Sequence, residues 1–335
     1  MAITRVWQAG MEEGSLDIWD TVNAFLGTSY VKTGTYNMSV NRTSTSNRWA
    51  VKNFSSAMNR VRLGFWLYTP IDDCGEFWAI QLTTLGGSNI TGMTQTGATA
   101  LAYLRVLGSN EDYDTYASAT QIHWGIDLKV DPSSGWSYLY KNGVLHASFD
   151  GNTGSSGVQQ LILGHTGSGT SGAPIIYFDD IYVDDLTGEA DAPSPPPMLR
   201  FAWLSPNGNG NYSQWTPSSG SGYECVDEVP PSDSDYIEAD AVGENESHAM
   251  STYTLGAQEE CKAIIPVVRA AKTGLNEKIK MGTRLSSTDA LGADQDLPAS
   301  AGYLWERQPT KPGGGAWEQA DIDGFELLLQ SSGSF

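Results

Sequence analysis

A chain of 335 residues with 40% apolar and 10% aromatic residues is long enough for about two packed domains, which excludes a disordered tail. Its 39 acidic against 19 basic residues leave a net charge of -20, and this excludes a phosphate-gripping surface and hence direct nucleic-acid binding. Abundant glycine, tryptophan and tyrosine (37, 11 and 15 residues), with few runs of Leu, Ala, Glu or Lys, point to short strands joined by turns. The expected fold class is all-β, with two β-sandwich, jelly-roll-like domains.

The first ten residues carry no apolar core of signal-peptide length, and Glu12 and Glu13 follow at once. Nothing approaches the ~20 apolar residues that span a bilayer, so no membrane insertion is expected. Alternation of apolar and polar residues then predicts strands at 48–52, 60–68 and 77–82. Further strands are expected at 101–107, 121–130, 136–140, 144–149, 159–163 and 175–183, a number and spacing that fit a two-sheet sandwich. Asn142-Gly143 between two of them predicts a hairpin with a type I′ turn, which needs two positive φ angles.

Four prolines, Pro193, Pro195, Pro196 and Pro197, mark 189–198 as a stiff extended linker between domains at 1–188 and 199–335. The charge changes there too: residues 1–188 hold 10 basic and 17 acidic residues, the remainder 9 and 22. The second part is expected to open with a loop from Ser205 to Asn211, rich in Asn and Gly. Ile264–Ala271 and Lys278–Leu285 are expected to form a hairpin, with Pro266 at an edge or bulge, and late strands are expected at 303–306 and 324–329.

Catalytic patterns are missing. No Glu-x-Asp-x-x-Glu run offers the paired carboxylates of a strand-borne glycosidase site, no Gly-x-Ser-x-Gly elbow occurs, and His123, His146, His165 and His248 are dispersed. The chain is therefore read as non-enzymatic. Aromatics near alternating strands, namely Trp78, Tyr103, Tyr113, Tyr116 and Trp124, are candidates for a sugar platform, because an exposed ring stacks on sugar C–H groups; the competing reading places them in core or cross-strand packing. Cys225 and Cys261 either pair with each other or stand as separate thiols, and with Cys74 they are too scattered for a zinc site.

The spans 121–131 (Gln-Ile-His-Trp-Gly-Ile-Asp-Leu-Lys-Val-Asp), 136–145 (Trp-Ser-Tyr-Leu-Tyr-Lys-Asn-Gly-Val-Leu) and 177–183 (Tyr-Phe-Asp-Asp-Ile-Tyr-Val) resemble the concanavalin A-like, laminin G-like jelly roll over residues 1–187. That resemblance implies a structural calcium joining an acid early in the chain to the last strand, with Glu12 or Glu13 and Asp179 or Asp180 as ligands; the alternative is that these acids are solvated. Residues 207–217 (Asn-Gly-Asn-Gly-Asn-Tyr-Ser-Gln-Trp-Thr-Pro), Val226–Pro231 with Asp235-Tyr236, Trp305-Glu306, Ala316-Trp317 and 321–326 look like a module of tailed-bacteriophage structural proteins. This second resemblance implies a virion-surface protein, made in the host cytoplasm, that decorates the head or attaches to the tail through contacts with capsid or tail proteins. It also implies a homo-oligomer such as a trimer. The alternative is an adhesin for host-surface glycan, and behind it a glycoside hydrolase.

Overall fold

In a computed structural model the described residues are 4–43, 46–47, 49–70, 76–96, 101–115, 119–164, 173–189 and 191–334. They form two compact units, Met1–Phe201 and Ala202–Phe335. Both are antiparallel, and helix among the described residues is confined to single turns at Gly222–Cys225 and Gln319–Ile322.

The first unit is a sandwich of a nine-stranded and a seven-stranded sheet. Arg60–Tyr68 lies at the centre of the larger sheet, between Gln121–Lys129 and Ala173–Asp185. Glu76–Thr83 lies between Asn89–Thr96 and Val158–Gly164 in the smaller. Alternation drives the packing: Leu63, Phe65 and Leu67, with Ile122, Trp124, Ile126 and Leu128, meet Phe77, Ile80, Leu82, Met93 and Leu104 in one core. Burying each such side chain is worth about 1.5–3 kcal/mol. Asn142 and Gly143 have φ of 50° and 79°, as the expected hairpin turn requires. Asn89–Thr96 has little apolar sequence, yet its Thr91, Thr94 and Gln95 are buried among neighbouring strands, which is why alternation did not reveal it.

The proline-rich segment is not a free linker. It belongs to the first unit and runs as a strap across the outer face of the larger sheet. Arg60 donates to the Ala192 carbonyl (3.1 Å), the Ser194 amide to Asp127 (2.7 Å), Tyr182 to the Pro197 carbonyl (2.6 Å) and the Trp66 indole to the Leu199 carbonyl (2.9 Å). Pro196 is buried over Gly125, where an added Cβ would lie 2.5 Å from the proline ring. Proline suits this role because it needs no ladder partner for a missing N–H. Beneath the strap Arg60 pairs with Asp127, both nearly inaccessible, and its guanidinium lies 4.2 Å above the Trp136 ring.

The second unit has a six-stranded sheet ordered Pro206–Ser213, Asn245–Met250, Phe325–Ser334, Asn276–Leu285 and Thr288–Leu291, with Gln295–Asp296 also paired to Asn276–Leu285. Two short ladders, Thr216–Pro217 with Ile237–Glu238 and Val267–Ala270 with Gly302–Trp305, complete it. Its core gathers Ile279, Met281 and Leu329 with Trp215, Val268 and Leu327. Two expectations are corrected here. The Asn- and Gly-rich stretch expected as a loop lies within the strand Pro206–Ser213, whose exposure alternates regularly and whose Gly210 leaves room for Ser247 and Glu326. The expected hairpin does not form: Val267–Ala270 pairs with Gly302–Trp305, while Asn276–Leu285 takes Phe325–Ser334, whose matching apolar residues share the core. Pro266 sits just before the shorter strand, where only its carbonyl is used, by the Glu306 amide.

Candidate functional site

Among the described residues no hydrogen bond joins the strap to the outer face of the smaller sheet, which presents aromatic rings. Leu101–Val106 sends Ala102, Leu104 and Val106 into the core, so Tyr103 and Arg105 face outward. Register then aligns Trp78 with Thr94, Thr94 with Tyr103 and Tyr103 with Tyr113 across four adjacent strands. The Tyr103 and Tyr113 rings are 5.0 Å apart, and Tyr113 is 58% exposed. Arg105 places its guanidinium 5.3 Å from the Trp78 ring and donates to the Thr94 hydroxyl (3.2 Å). Three of the five expected platform residues thus share one surface.

The other two do not join it. Trp124 is fully buried in the sandwich core, a correction that follows from strand phase: Ile122, Trp124, Ile126 and Leu128 form the inward set, leaving His123, Gly125 and Asp127 outward. Tyr116 lies outside the described residues. Arg105 and Thr94 were not singled out from sequence. The alternation Leu101, Tyr103, Arg105 was the available signal for the first, while nothing marked Thr94 before its strand was known.

The four acids expected to hold calcium are all buried: Glu12, Glu13, Asp179 and Asp180 are each at most 6% exposed. A bulge in Ala173–Asp185, with Asp180 at a left-handed φ of 48°, turns two successive carboxyls toward the segment 32–36. Asp179 accepts the amides of Lys32 (2.7 Å) and Thr33 (3.3 Å), Asp180 accepts the Thr33 hydroxyl and the Phe201 amide, and Glu12 accepts the amides of Thr35 and Tyr36. Burial and mutual repulsion hold the Asp179 carboxyl well above its ordinary range, and burial with the Glu12 charge does the same to Asp180, despite these bonds. Burial, with help from Glu12, pushes Glu13 up to about 7, and its Oε1 has no hydrogen-bond partner. Among the described residues no three His, Cys, Asp or Glu side chains are arranged to share a metal ion. The oxygens are hard donors, but they are turned onto backbone amides rather than onto a common point. The residues therefore do not fit the expected calcium cage; Glu12, Asp179 and Asp180 instead pin the 32–36 segment and, through the Phe201 amide, the end of the strap.

Cys225 and Cys261 do not pair. Cys225 is buried with its thiol on the Ser219 carbonyl (2.9 Å), and Cys261 is half-buried with its thiol toward the Ala263 carbonyl (3.5 Å). Cys225 closes the helical turn Gly222–Cys225, while Cys261 bridges to Trp317. Cys74 lies outside the described residues, and no helix among those residues is long and apolar enough to cross a membrane.

No family model matches the chain, and no curated protein matches it. Among solved structures it is similar to a cellulose-induced protein, Cip1 (TM-score 0.41, 12% identity, 53% of this chain and 96% of that one). It is also similar to the sialidase of Trypanosoma rangeli (TM-score 0.38, 10% identity, 51% of this chain), where the match spans only 29% of the sialidase chain. A third is an endo-1,3-β-glucanase from Streptomyces sioyaensis (TM-score 0.36, 10% identity, 54% of this chain and 96% of that one). Likenesses this distant carry no argument about activity; the all-β fold rests on the antiparallel sheets themselves.

Proposed function

We propose that this chain is a non-catalytic carbohydrate-binding protein whose first unit takes sugar on the Trp78, Tyr103 and Tyr113 surface. The observation that carries this reading is the register that lines these three residues up on one face beside Arg105. Aromatic faces stack on the C–H side of a pyranose, and a guanidinium and a hydroxyl supply hydrogen bonds to its rim. Calorimetric titration of the full chain with neutral oligosaccharides tests it. At least tenfold weaker binding is expected for Tyr113→Ala and for Trp78→Ala, about 1.4 kcal/mol or more. Absence of binding to any neutral glycan, or binding indifferent to both changes, overturns it.

A second reading sets this binding module on a tailed-phage particle, docked through capsid or tail proteins and assembled as a homo-oligomer. It rests on the order of short motifs in the second unit, from Asn207–Pro217 to Asp321–Glu326. Cryo-electron microscopy of particles from the source culture tests it, and an absence of matching density on head and tail rejects it.

A further inference from the structure

The aromatic row on the outer face of the smaller sheet does not stop at Trp78. Ala50 enters the core, so its neighbour Trp49, on the strand Trp49–Met58, faces outward and is half-buried. Trp49 pairs with Gly164 in the next strand, Val158–Gly164. The residue before Gly164, Leu163, pairs in turn with Ile80. A register shift between Trp78 and Ile80 lets Ala79 and Ile80 both enter the core, which leaves Trp78 outward at the level of Gly164. One row therefore crosses six strands in the order Trp49, Gly164, Trp78, Thr94, Tyr103, Tyr113.

Rings and small residues alternate along this row. Gly164 has no side chain and Thr94 a short one, so nothing tall stands between one ring and the next. Gly92 makes room as well, since a Cβ there would lie 2.9 Å from the Trp78 indole. Trp49, Trp78 and Tyr103 are each two strands apart, about 10 Å, which is the length of a disaccharide in an extended, equatorially linked pyranose chain. Successive sugars of such a chain are flipped, so every second one turns the same C–H face downward. From Trp49 to Tyr113 the row covers five strand intervals, about 24 Å, or roughly five pyranoses. A chain with axial linkages coils and leaves the row after one or two rings. Neighbouring strands also turn by about 20–25°, so the rings do not share one plane; a single polymer chain follows that turn, and a flat crystal face does not. The net charge of -20 repels anionic polymers.

We propose that this row binds the interior of a single, neutral β-1,4-linked polysaccharide chain. The polymer runs across the strands, with alternate pyranoses on Trp49, on Trp78 and on the Tyr103 and Tyr113 pair. The proposal rests on the carbohydrate-binding reading of the same face, to which it adds Trp49, a length and a linkage.

The test is calorimetric titration of the full chain with cellohexaose, β-1,4-mannohexaose and N-acetylchitohexaose, with the disaccharide of each, and with maltohexaose, whose axial linkages coil. At least one of the three β-linked hexasaccharides is expected to bind tenfold or more tightly than its own disaccharide and than maltohexaose. Trp49→Ala is expected to weaken that hexasaccharide at least tenfold, and Trp49→Phe, which keeps a ring, to restore most of the loss. Where Trp49→Ala lowers the melting temperature, Trp49→Leu keeps apolar bulk without an aromatic face and is expected to show the same tenfold loss. The length and linkage preferences are read on the wild type and need no variant. A hexasaccharide bound no better than its disaccharide, maltohexaose bound as tightly, or a hexasaccharide indifferent to both Trp49→Ala and Trp49→Leu overturns the extended platform. Binding that still falls with Tyr113→Ala and Trp78→Ala in those cases leaves the sugar-binding face standing without it. Absence of binding by every sugar removes both.

Discussion

The two outer faces of the sandwich begin from similar strands and end differently. On the larger sheet the outward residues Arg60, Trp66, Asp127 and Tyr182 are buried beneath the strap and Arg62 is half-buried, and all are bonded to the strap's backbone, to the Ser194 hydroxyl or to each other. On the smaller sheet Trp78, Tyr103, Arg105 and Tyr113 keep partial or full exposure. Trp66 and Trp78 show the contrast most directly, since both point outward yet Trp66 is 8% exposed and gives its indole hydrogen to Leu199. An aromatic at an outward strand position is therefore a structural group or a ligand platform according to what a distant segment does. On the strapped face substitutions should cost stability; on the bare face they should cost binding.

The sharpest way to break this contrast is at the ion pair under the strap. Asp127→Ala leaves the buried Arg60 charge without its partner and removes the acceptor of the Ser194 amide. Loss of one member of a buried pair costs about 3–5 kcal/mol, so urea denaturation of the variant should show a loss of that size. The joint change Arg60→Met with Asp127→Leu should cost less than Asp127→Ala alone, because neither charge remains to be buried. Gly125→Ala acts on the strap itself, by driving a Cβ to 2.5 Å from Pro196. Overpacking of this kind costs about 1–3 kcal/mol, and limited proteolysis should begin to cut within 192–200.

A smaller effect separates the faces by pH. Glu13, in the acid nest that pins the strap's end, titrates near 7 when folded against an ordinary value of 4.5. Between those values the folded chain keeps a proton that the unfolded chain has lost, so stability falls as pH rises through the window, by at most about 1.4 kcal/mol per pH unit from this group. Melting curves from pH 4.5 to 7 should show that fall, and Glu13→Gln should make it shallower, the remainder coming from Asp179 and Asp180, whose carboxyls are raised in the same direction. Binding on the bare face should not follow the same curve.

Much of the first unit was legible because its strands alternate cleanly. Arg60–Tyr68 and Gln121–Lys129 expose their inward sets in sequence, and that phase also decides the fate of Trp124, whose neighbours Ile122, Ile126 and Leu128 share its side. Tyr103 and Tyr113 were legible as candidates, but their meeting depends on a pairing register between strands that composition does not encode. The strap was legible only as a stiff, extended segment. Proline content sets its shape, while its docking depends on Arg60, Arg62, Trp66, Asp127 and Tyr182, all remote in sequence. The acid nest was legible only through the jelly-roll resemblance, as calcium ligands, yet the carboxyls of Glu12, Asp179 and Asp180 serve backbone amides. A bulge at Asp180 re-aims them, and a regular strand would have pointed Asp179 and Asp180 to opposite faces.

The smallest expected change is the most discriminating. Tyr113→Ala removes one ring of an exposed cross-strand pair with Tyr103, and such pairs contribute about 0.2–1 kcal/mol to stability. Urea denaturation should therefore barely register the variant, while its glycan titration should weaken at least tenfold. A ring whose main service is packing shows the reverse pattern, as Trp66→Ala should on the strapped face, where the lost side chain also strands the Leu199 carbonyl and the Lys32 ammonium. If Tyr113→Ala instead cost several kcal/mol and left binding unchanged, the bare face would be a structural surface like its counterpart, and the contrast between the faces would be one of covering alone.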